Sequence, residues 1–181
     1  RLKNDYNLKK EDNILDIGSN DGTFLSFFNR KLNLYGCDPT IKKFSKFYRK
    51  DINKISNFFS SSLFKNKKFK LITAISMFYD LPDPLKFAKE INSILSRNGV
   101  WHIELSYMPM MIKNTSYDTI CHEHLEYYSL TSIKFLLDKA KLKIINISFN
   151  QINGGSIALD VAKQSSKYKS SNHLINWILE N

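Results

Sequence analysis

A short apolar segment, Asn13 to Ile17, leads directly into a loop with two glycines, Gly18 and Gly22. A buried strand followed at once by a glycine loop and a helix is typical of the first unit of a doubly wound α/β sheet. In such sheets, ligands bind beyond the carboxyl ends of the strands. Gly18 would let the chain turn tightly beside a ligand, and Gly22 would let the next helix pack closely. The loop therefore indicates an α/β fold with a ligand site after its first strand.

Apolar strand patterns alternate with helical patterns along the rest of the chain. The predicted strands cover 13–17, 32–37, 55–59, 69–77, 100–105, 142–149 and 156–162, and the predicted helices cover 22–31, 41–50, 84–96, 131–141 and 172–180. Strands separated by helices pair in parallel, whereas the last two strands have a short connection and must pair antiparallel. We therefore predict a doubly wound, mostly parallel, seven-stranded α/β sheet of Rossmann-like type, with an antiparallel terminal hairpin.

The length of 181 residues suits one domain. Residues 1–163 form the predicted core, and residues 164–181 form a C-terminal tail or helix that could begin a further domain. Within the core, residues 106–130 carry neither a strand nor a helical pattern. Because a connection of that length is usually functional, it is the candidate substrate loop.

The ligand can be argued from the glycine spacing and the next acidic residue. Asp38 ends the second predicted strand, 20 residues after Gly18, and could accept both hydroxyls of a ribose. A nicotinamide dinucleotide needs the same acid, but it also needs the spacing G-x-G-x-x-G, with the second glycine against the pyrophosphate. Here Asn20 occupies that position and the spacing is G-x-x-x-G. We favour S-adenosylmethionine (SAM), which has no pyrophosphate, over a dinucleotide or a loop without ligand.

The predicted SAM site combines the glycine loop, the acid after the second strand and the ends of the two following strands. N–H groups of the helix that begins at Gly22 could receive the carboxylate of SAM. Phe58 and Phe59, or Ala74 to Ser76, could flank the adenine ring or lie under the methionine arm, but each could equally be core. The predicted cofactor-binding residues are Asp16, Gly18, Ser19, Asn20, Gly22, Asp38, Pro39, Phe59, Ala74 and Ser76.

Two histidines and a glutamate, His122, Glu123 and His124, are consecutive in the candidate substrate loop. In an extended segment, the histidines would point one way and the glutamate the other. A zinc site would need a third or fourth ligand, and the spacing is not that of a His-Glu-x-x-His helix. Structural hydrogen bonding is the plainer alternative. We predict that the segment performs acid/base or substrate-binding work and that it holds no metal.

The chain resembles the C-methyltransferases that act on nucleotide-linked 4-keto deoxysugars, a family with the class I SAM-dependent methyltransferase fold. The resemblance rests on residues 14–22, 36–39, 118–124 with Tyr128 after them, and 153–156. The first segment is common to class I methyltransferases, whereas Asp-Thr-Ile-Cys-His-Glu-His together with Asn-Gly-Gly-Ser is much more specific. The resemblance implies SAM as cofactor and a nucleotide-linked sugar as substrate.

The same resemblance implies a chemistry. A base removes the proton next to the sugar ketone, and the enolate carbon then attacks the SAM methyl group. His124 matches the favoured base, Glu123 is its orienting partner, and His122 belongs to the same catalytic segment. Histidine suits this work because imidazole titrates near neutral pH. Cys121 departs from the family pattern, which has tyrosine there, so a phenol that could serve the substrate is absent.

The family also carries a Cys-rich zinc domain before this core and a further domain after it. We therefore expect the chain to be a fragment of a larger protein or a reduced relative. The net charge of +10 invites a nucleic-acid partner, but the lysines are scattered and no base-specific motif accompanies them. No apolar run approaches the roughly 20 residues of a membrane span, and the two cysteines form no CxxC pair. We expect a cytoplasmic enzyme that acts on a small molecule.

Overall fold

The computed structural model describes residues 1–180. Within that range the strands are β1 (Asn13–Ile17), β2 (Asn33–Cys37), β3 (Ile52–Ile55), β4 (Phe69–Ile75), β5 (Leu95–Ser106), β6 (Leu142–Asn150) and β7 (Ser156–Lys163). The α-helices are α1 (Leu2–Asp5), α2 (Thr23–Ser26), α3 (Ile41–Phe44), α4 (Pro84–Ile94), α5 (Met108–Lys113), α6 (Leu130–Lys139) and α7 (Asn172–Glu180). None of these helices is long and apolar enough to cross a membrane.

All seven strands join one sheet in the order β3-β2-β1-β4-β5-β7-β6. β1 to β5 run parallel to one another, while β7 lies antiparallel between β5 and β6. This arrangement confirms the predicted doubly wound sheet with an antiparallel terminal hairpin. The strand order changes direction between β1 and β4, and a ligand crevice is expected at the carboxyl ends of two such neighbours.

The predicted helix over 22–31 is wrong beyond Ser26. The Arg49 guanidinium donates from Nη1 to the carbonyl oxygens of Ser26 and Phe28, at 2.6 and 2.8 Å. These bonds satisfy carbonyls that a longer helix would have used for its own N–H groups. Phe27, which lies within the predicted helix, is 82% exposed.

The predicted helix over 41–50 is also too long, because α3 ends at Phe44. The N–H of Lys43 bonds to the Thr40 carbonyl, and the N–H of Phe47 bonds to the Phe44 carbonyl. Each of these bonds spans three residues, so the chain here forms tight turns and does not continue as an α-helix.

The third strand is displaced from the predicted 55–59 to β3, where it begins at Ile52 and pairs in parallel with β2. Phe59 lies beyond the strand and packs its ring against Phe87, with 4.9 Å between the ring centroids. Of the apolar pair Phe58 and Phe59, therefore, Phe59 packs against the core after the sheet has ended, whereas Phe58 is 77% exposed.

Residues 106–130 are not irregular throughout, as the sequence pattern suggested. They contain α5 and a 3-10 turn at Tyr117–Thr119. A parallel bridge between Tyr107 and Tyr128 joins the two ends of the stretch. The candidate substrate loop therefore leaves the sheet and returns to it, with its two ends held together by this bridge.

Two apolar layers cover the sheet. The larger contains Trp101, Phe78 and Phe87 and receives Ile175 of α7. The smaller contains Leu25 of α2 with neighbouring residues of the β1–β3 region. Successive strand residues alternate between the two layers, as β geometry requires.

A buried carboxylate on β7 joins distant parts of the chain. Asp160 accepts from Nη1 and Nη2 of Arg1 at 2.7 and 3.1 Å, and from the Tyr6 hydroxyl at 2.5 Å. Nδ1 of His102 lies 2.7 Å from Oδ1 of the same carboxylate. Burial alone would raise the pKa of Asp160, but these hydrogen bonds outweigh burial and lower it.

Candidate active site

A cleft of about 600 Å³ opens at the carboxyl ends of β1, β2 and β4. This volume is within the usual range of small-molecule sites. Four of the predicted cofactor-binding residues line it, namely Gly18, Asp38, Pro39 and Phe59. Further lining comes from Ile17, Cys37, Thr40, Asn57, Phe58, Met77, Asp80, Leu81, Pro82 and Phe87. The cleft therefore has a polar side at the end of β2 and an apolar side between β3 and α4.

The Asp38 carboxylate ties the glycine loop to the end of β2. Its Oδ2 accepts from the N–H of Asn20 at 3.0 Å. Its Oδ1 accepts from the N–H and the hydroxyl of Thr40 at 2.6 and 2.5 Å. A carboxylate has about four acceptor sites, so these three bonds leave capacity for a ligand hydroxyl.

Gly18 needs to be glycine for two reasons. Its φ is +74°, in the left-handed region, and its N–H donates to the Cys37 carbonyl at 2.9 Å. A Cβ at this position would stand 3.3 Å from Cγ of Met77, which lines the cleft. A side chain here would therefore enter the space between the loop and the far wall of the cleft.

Tyr48 supports the loop from behind, a role that the sequence did not predict. Its hydroxyl lies 2.8 Å from Oγ of Ser19 and donates to the Asn20 carbonyl at 3.0 Å. Its ring lies so close to Gly22 and Gly36 that a Cβ would stand 2.7 and 3.0 Å, respectively, from the nearest ring atom. Three predicted cofactor-binding residues, Ser19, Asn20 and Gly22, thus form the part of the loop that Tyr48 holds.

Asp16 lies beneath the loop and is 4% exposed. The Thr73 hydroxyl donates to its Oδ1 at 2.6 Å. Burial raises the pKa of Asp16 to about 7; the bond from Thr73 opposes this shift, and the charge of Asp38 adds to it. The carboxyl group therefore changes its charge near neutral pH, directly under the loop.

The two remaining predicted cofactor-binding residues differ in their surroundings. Ala74 is fully buried in the larger apolar layer. Ser76 is exposed at the end of β4, with φ +54°, and its N–H donates to the Glu104 carbonyl at 2.8 Å. Ser76 directly precedes Met77, so it stands at the edge of the cleft lining.

The His-Glu-His segment rests on the 3-10 turn after β4, Phe78–Asp80. The N–H groups of Leu125 and Glu126 both donate to the Tyr79 carbonyl, at 3.0 and 3.2 Å. The ring centroids of His124 and Tyr79 are 4.2 Å apart, with the planes tilted by 53°. Backbone and side-chain contacts therefore fix His124 to the same turn.

Asp80 links this segment to the cleft, because it lines the cleft and interacts with the segment. Burial raises the pKa of Asp80, the nearby His124 lowers it, and the charge of Glu123 raises it. The structure thus places His124 against Tyr79, which directly precedes the cleft-lining Asp80, while Glu123 and His122 are both exposed. Across residues 1–180, no three His, Cys, Asp or Glu side chains gather as a metal site.

The Gly-Gly turn between β6 and β7 supports the candidate substrate loop. Gly154 and Gly155 have φ values of +76° and +126°. Nδ2 of Asn114 donates to the Gly154 carbonyl at 2.7 Å, and the N–H of Tyr107 donates to the Gly155 carbonyl at 2.9 Å. The turn thus anchors both ends of α5.

Four residues near the cleft were not predicted from the sequence. Met77, Tyr79 and Asp80 follow the end of β4, where ligand-binding residues are expected in such sheets, so their place at the end of a predicted strand is a signal for them. Tyr48 carries no comparable signal, because only the folded chain brings it to the loop.

Comparison with known proteins places the chain in a family. The family model described as "Methyltransferase domain" matches residues 2–147. The chain belongs to this family. At the level of the family, membership confirms the predicted enzyme class, a SAM-dependent methyltransferase, and the predicted cofactor.

Among curated proteins, the chain is similar to the C-methyltransferase NovU of Streptomyces niveus. The two are 24% identical over 164 residues, which cover 87% of this chain and 39% of NovU. The chain therefore spans about two fifths of the length of this relative.

Among solved structures, a SAM-dependent methyltransferase from Clostridium acetobutylicum superposes with a TM-score of 0.69 at 17% identity, covering 89% of this chain and 87% of that one. The plantazolicin methyltransferase BpumL gives 0.64 at 15%, covering 90% and 80%. LepI in complex with SAM gives 0.69 at 16%, covering 85% and 43%. These similarities establish the fold.

The cleft fits SAM on its own features. The Asp38 carboxylate suits ribose hydroxyls, and the apolar side with Phe59 and Leu81 suits a purine ring. The missing side chain at Gly18 leaves the backbone open where a ligand would approach it.

Proposed function

We propose that this chain is the methyltransferase part of an enzyme that C-methylates a keto-deoxysugar linked to a nucleotide. The observation that carries the proposal is the ring contact of His124 with Tyr79, which directly precedes the cleft-lining Asp80. Similarity to a C-methyltransferase over 87% of the chain supports it. We propose residues 1–163 as the catalytic core, with 106–130 as the substrate loop and 164–181 as a C-terminal tail or helix that could begin a further domain.

The cleft is the proposed cofactor site. Bound SAM supplies an electrophilic methyl group on a sulfonium sulfur. Asp38 accepts hydrogen bonds from the ribose, Phe59 lies at the apolar side, and Gly18 leaves room beside the backbone. Asp16 lies beneath the same loop, where its negative form favours a cationic ligand group.

His124 is the proposed base. Its imidazole takes the proton from the carbon next to the sugar ketone, and the electron pair of that C–H bond forms the enolate. The enolate carbon would then attack the methyl group that bound SAM would supply, and the electron pair of the broken methyl–sulfur bond would remain on sulfur. Glu123 stabilises the imidazolium with its negative charge, and His124 later releases the proton to water.

The test is methyl transfer by the full-length protein from radiolabelled SAM to a panel of nucleotide-linked sugars. Sugars with a ketone should be labelled on carbon, and the matching alcohols should not. In deuterated water, wild-type protein should also exchange the proton next to the ketone. Labelling of alcohols as readily as ketones would contradict enolate chemistry.

A different small-molecule acceptor, methylated on oxygen or nitrogen, is the second candidate. One observation favours it: the candidate substrate loop contains an apolar groove of about 370 Å³ without a charged side chain in its lining. The lining residues are Met108, Met111, Ile112, Thr115, Ser116, Tyr117, Ile120 and Tyr127. Product analysis by NMR distinguishes a new C–CH₃ group from O–CH₃ or N–CH₃. SAM binding without any transfer would instead indicate a non-catalytic module.

The proposed compartment is the cytoplasm. Cys37 and Cys121 are both free thiols that form no disulfide, as is usual for proteins of reducing compartments.

A further inference from the structure

We propose that Tyr79 is the positioning residue for His124, an inference that rests on the proposed function. Tyr79 is not part of the His-Glu-His segment; it lies 45 positions earlier in the chain, in the turn after β4. It holds the segment in two independent ways, one through its backbone and one through its ring.

The backbone contact fixes where the segment passes the cleft. The Tyr79 carbonyl accepts from two consecutive N–H groups, those of Leu125 and Glu126, at 3.0 and 3.2 Å. His124 immediately precedes these donors, and its own N–H bonds to the Cys121 carbonyl at 3.2 Å. The main chain on both sides of His124 is therefore held.

The ring contact fixes the direction of the imidazole. At a centroid distance of 4.2 Å, the phenol ring occupies one side of the imidazole. The tilt of 53° lies between stacked and edge-on, so a rotation of His124 about its side-chain bonds would lose this contact. Tyr79 thereby limits the orientations from which His124 can accept a proton.

Tyr79 can do this because it is itself buried and its neighbour Phe78 is packed into the core. The residue is 6% exposed. The preceding Phe78 is 1% exposed and packs against Trp101 and Tyr128, with centroid distances of 5.7 and 5.3 Å. The turn is thus anchored in the larger apolar layer.

A base that is misplaced by about 1 Å can cost roughly 100-fold in rate. If Tyr79 positions His124 through its ring, Tyr79→Phe should keep most of the rate, because the ring remains. Tyr79→Leu should lower kcat about 10- to 100-fold. KM for the acceptor and the dissociation constant of SAM should each change less than threefold or so, because neither depends on the imidazole direction.

The experiment compares these two variants with wild type in the full-length protein. Circular dichroism and SAM titration verify that each variant is folded. Rescue by Tyr79→Phe but not by Tyr79→Leu is expected. Equal loss of kcat and SAM affinity in Tyr79→Leu would show that Tyr79 is merely structural, and so would loss of rate in both variants with SAM affinity reduced.

A second measurement separates this inference from the proposed function. The imidazole proton resonances of His124, assigned by their absence in His124→Gln, should carry a ring-current shift that Tyr79→Leu removes and Tyr79→Phe retains. This result needs no acceptor. If it is obtained while no sugar is methylated, the positioning contact stands and the proposed reaction fails. If Tyr79→Leu leaves the resonances unmoved, the positioning inference is overturned whatever the activity.

Discussion

The ring of Tyr48 lies against the backbone of Gly22 so closely that a Cβ at position 22 would stand 2.7 Å from Cδ1 of the tyrosine. The Tyr48 ring therefore packs against the side of the glycine loop that faces away from the cleft. The tyrosine hydroxyl completes the support, because it reaches both Ser19 and Asn20.

Replacement of Tyr48 by Phe should therefore weaken SAM binding about three- to tenfold, because the aromatic ring remains but the hydrogen bonds of the hydroxyl group to the loop are lost. The free energy of unfolding should fall by about 1 kcal/mol, the typical net value of such a bond. Calorimetric titration and urea unfolding of Tyr48→Phe, Ser19→Ala and the double variant provide the measurement. Fully additive effects would show that the two hydroxyl groups do not act together.

Replacement of Asp38 by Ala should weaken SAM binding about 10- to 100-fold, since the site loses a charged acceptor worth roughly 1.5–3 kcal/mol. Thr40→Val is the matched control, because it removes one donor to Asp38 and retains the carboxylate. Its effect on the dissociation constant should be clearly smaller. Unchanged SAM affinity in Asp38→Ala would remove Asp38 from the site.

Asp16 should make the stability of the protein depend on pH. Because burial raises its folded pKa to about 7, above the ordinary value, its contribution is fully present below about pH 4 and is lost as pH rises through 7. Between pH 5 and 8.5 the loss should be on the order of 3 kcal/mol. In Asp16→Asn, which cannot ionise, urea unfolding without SAM should show a correspondingly flatter pH dependence. Parallel pH profiles for the variant and wild type would contradict the assignment.

His124→Gln should slow methyl transfer about 10²- to 10⁴-fold, the usual cost of losing a general base. SAM affinity should stay near the wild-type value, because the side chain is not among the lining residues of the cleft. The variant should also fail to exchange the acidic sugar proton with deuterated water. His122→Gln is the matched control, since His122 is exposed. Near-normal transfer by His124→Gln would assign the base to another residue.

The elements that were predicted well have strong local signals. Helix α4 begins at Pro84 after Asp83, whose carboxylate accepts a hydrogen bond from the Lys86 N–H at 2.9 Å. The start of this helix can therefore be predicted from residues adjacent in sequence. The glycine loop was equally recognisable, because a strand, a turn and a helix follow one another without interruption. Local propensity and periodicity suffice for such segments.

The elements that were predicted poorly depend on distant residues. α2 ends at Ser26, where Arg49, more than 20 positions later in the chain, donates hydrogen bonds to the carbonyl oxygens of Ser26 and Phe28. Similarly, the contact between Tyr79 and His124 joins residues 45 positions apart. No local sequence pattern around either residue predicts this contact. Such contacts exist only once the sheet has brought the strand ends together.

The place of β7 in the sheet also determines the order in which the chain can assemble. Within residues 1–180, β7 is the one strand that pairs with β6, although β7 follows β6 in the chain. During synthesis, β6 would therefore remain unpaired until β7 had left the ribosome. Arg1 would likewise lack its partner Asp160, which lies 159 positions later in the chain. Long-range pairings of this kind slow folding. Completion of the β5–β7–β6 edge should be a late event, during which the nascent chain exposes an apolar strand to chaperones and to other chains.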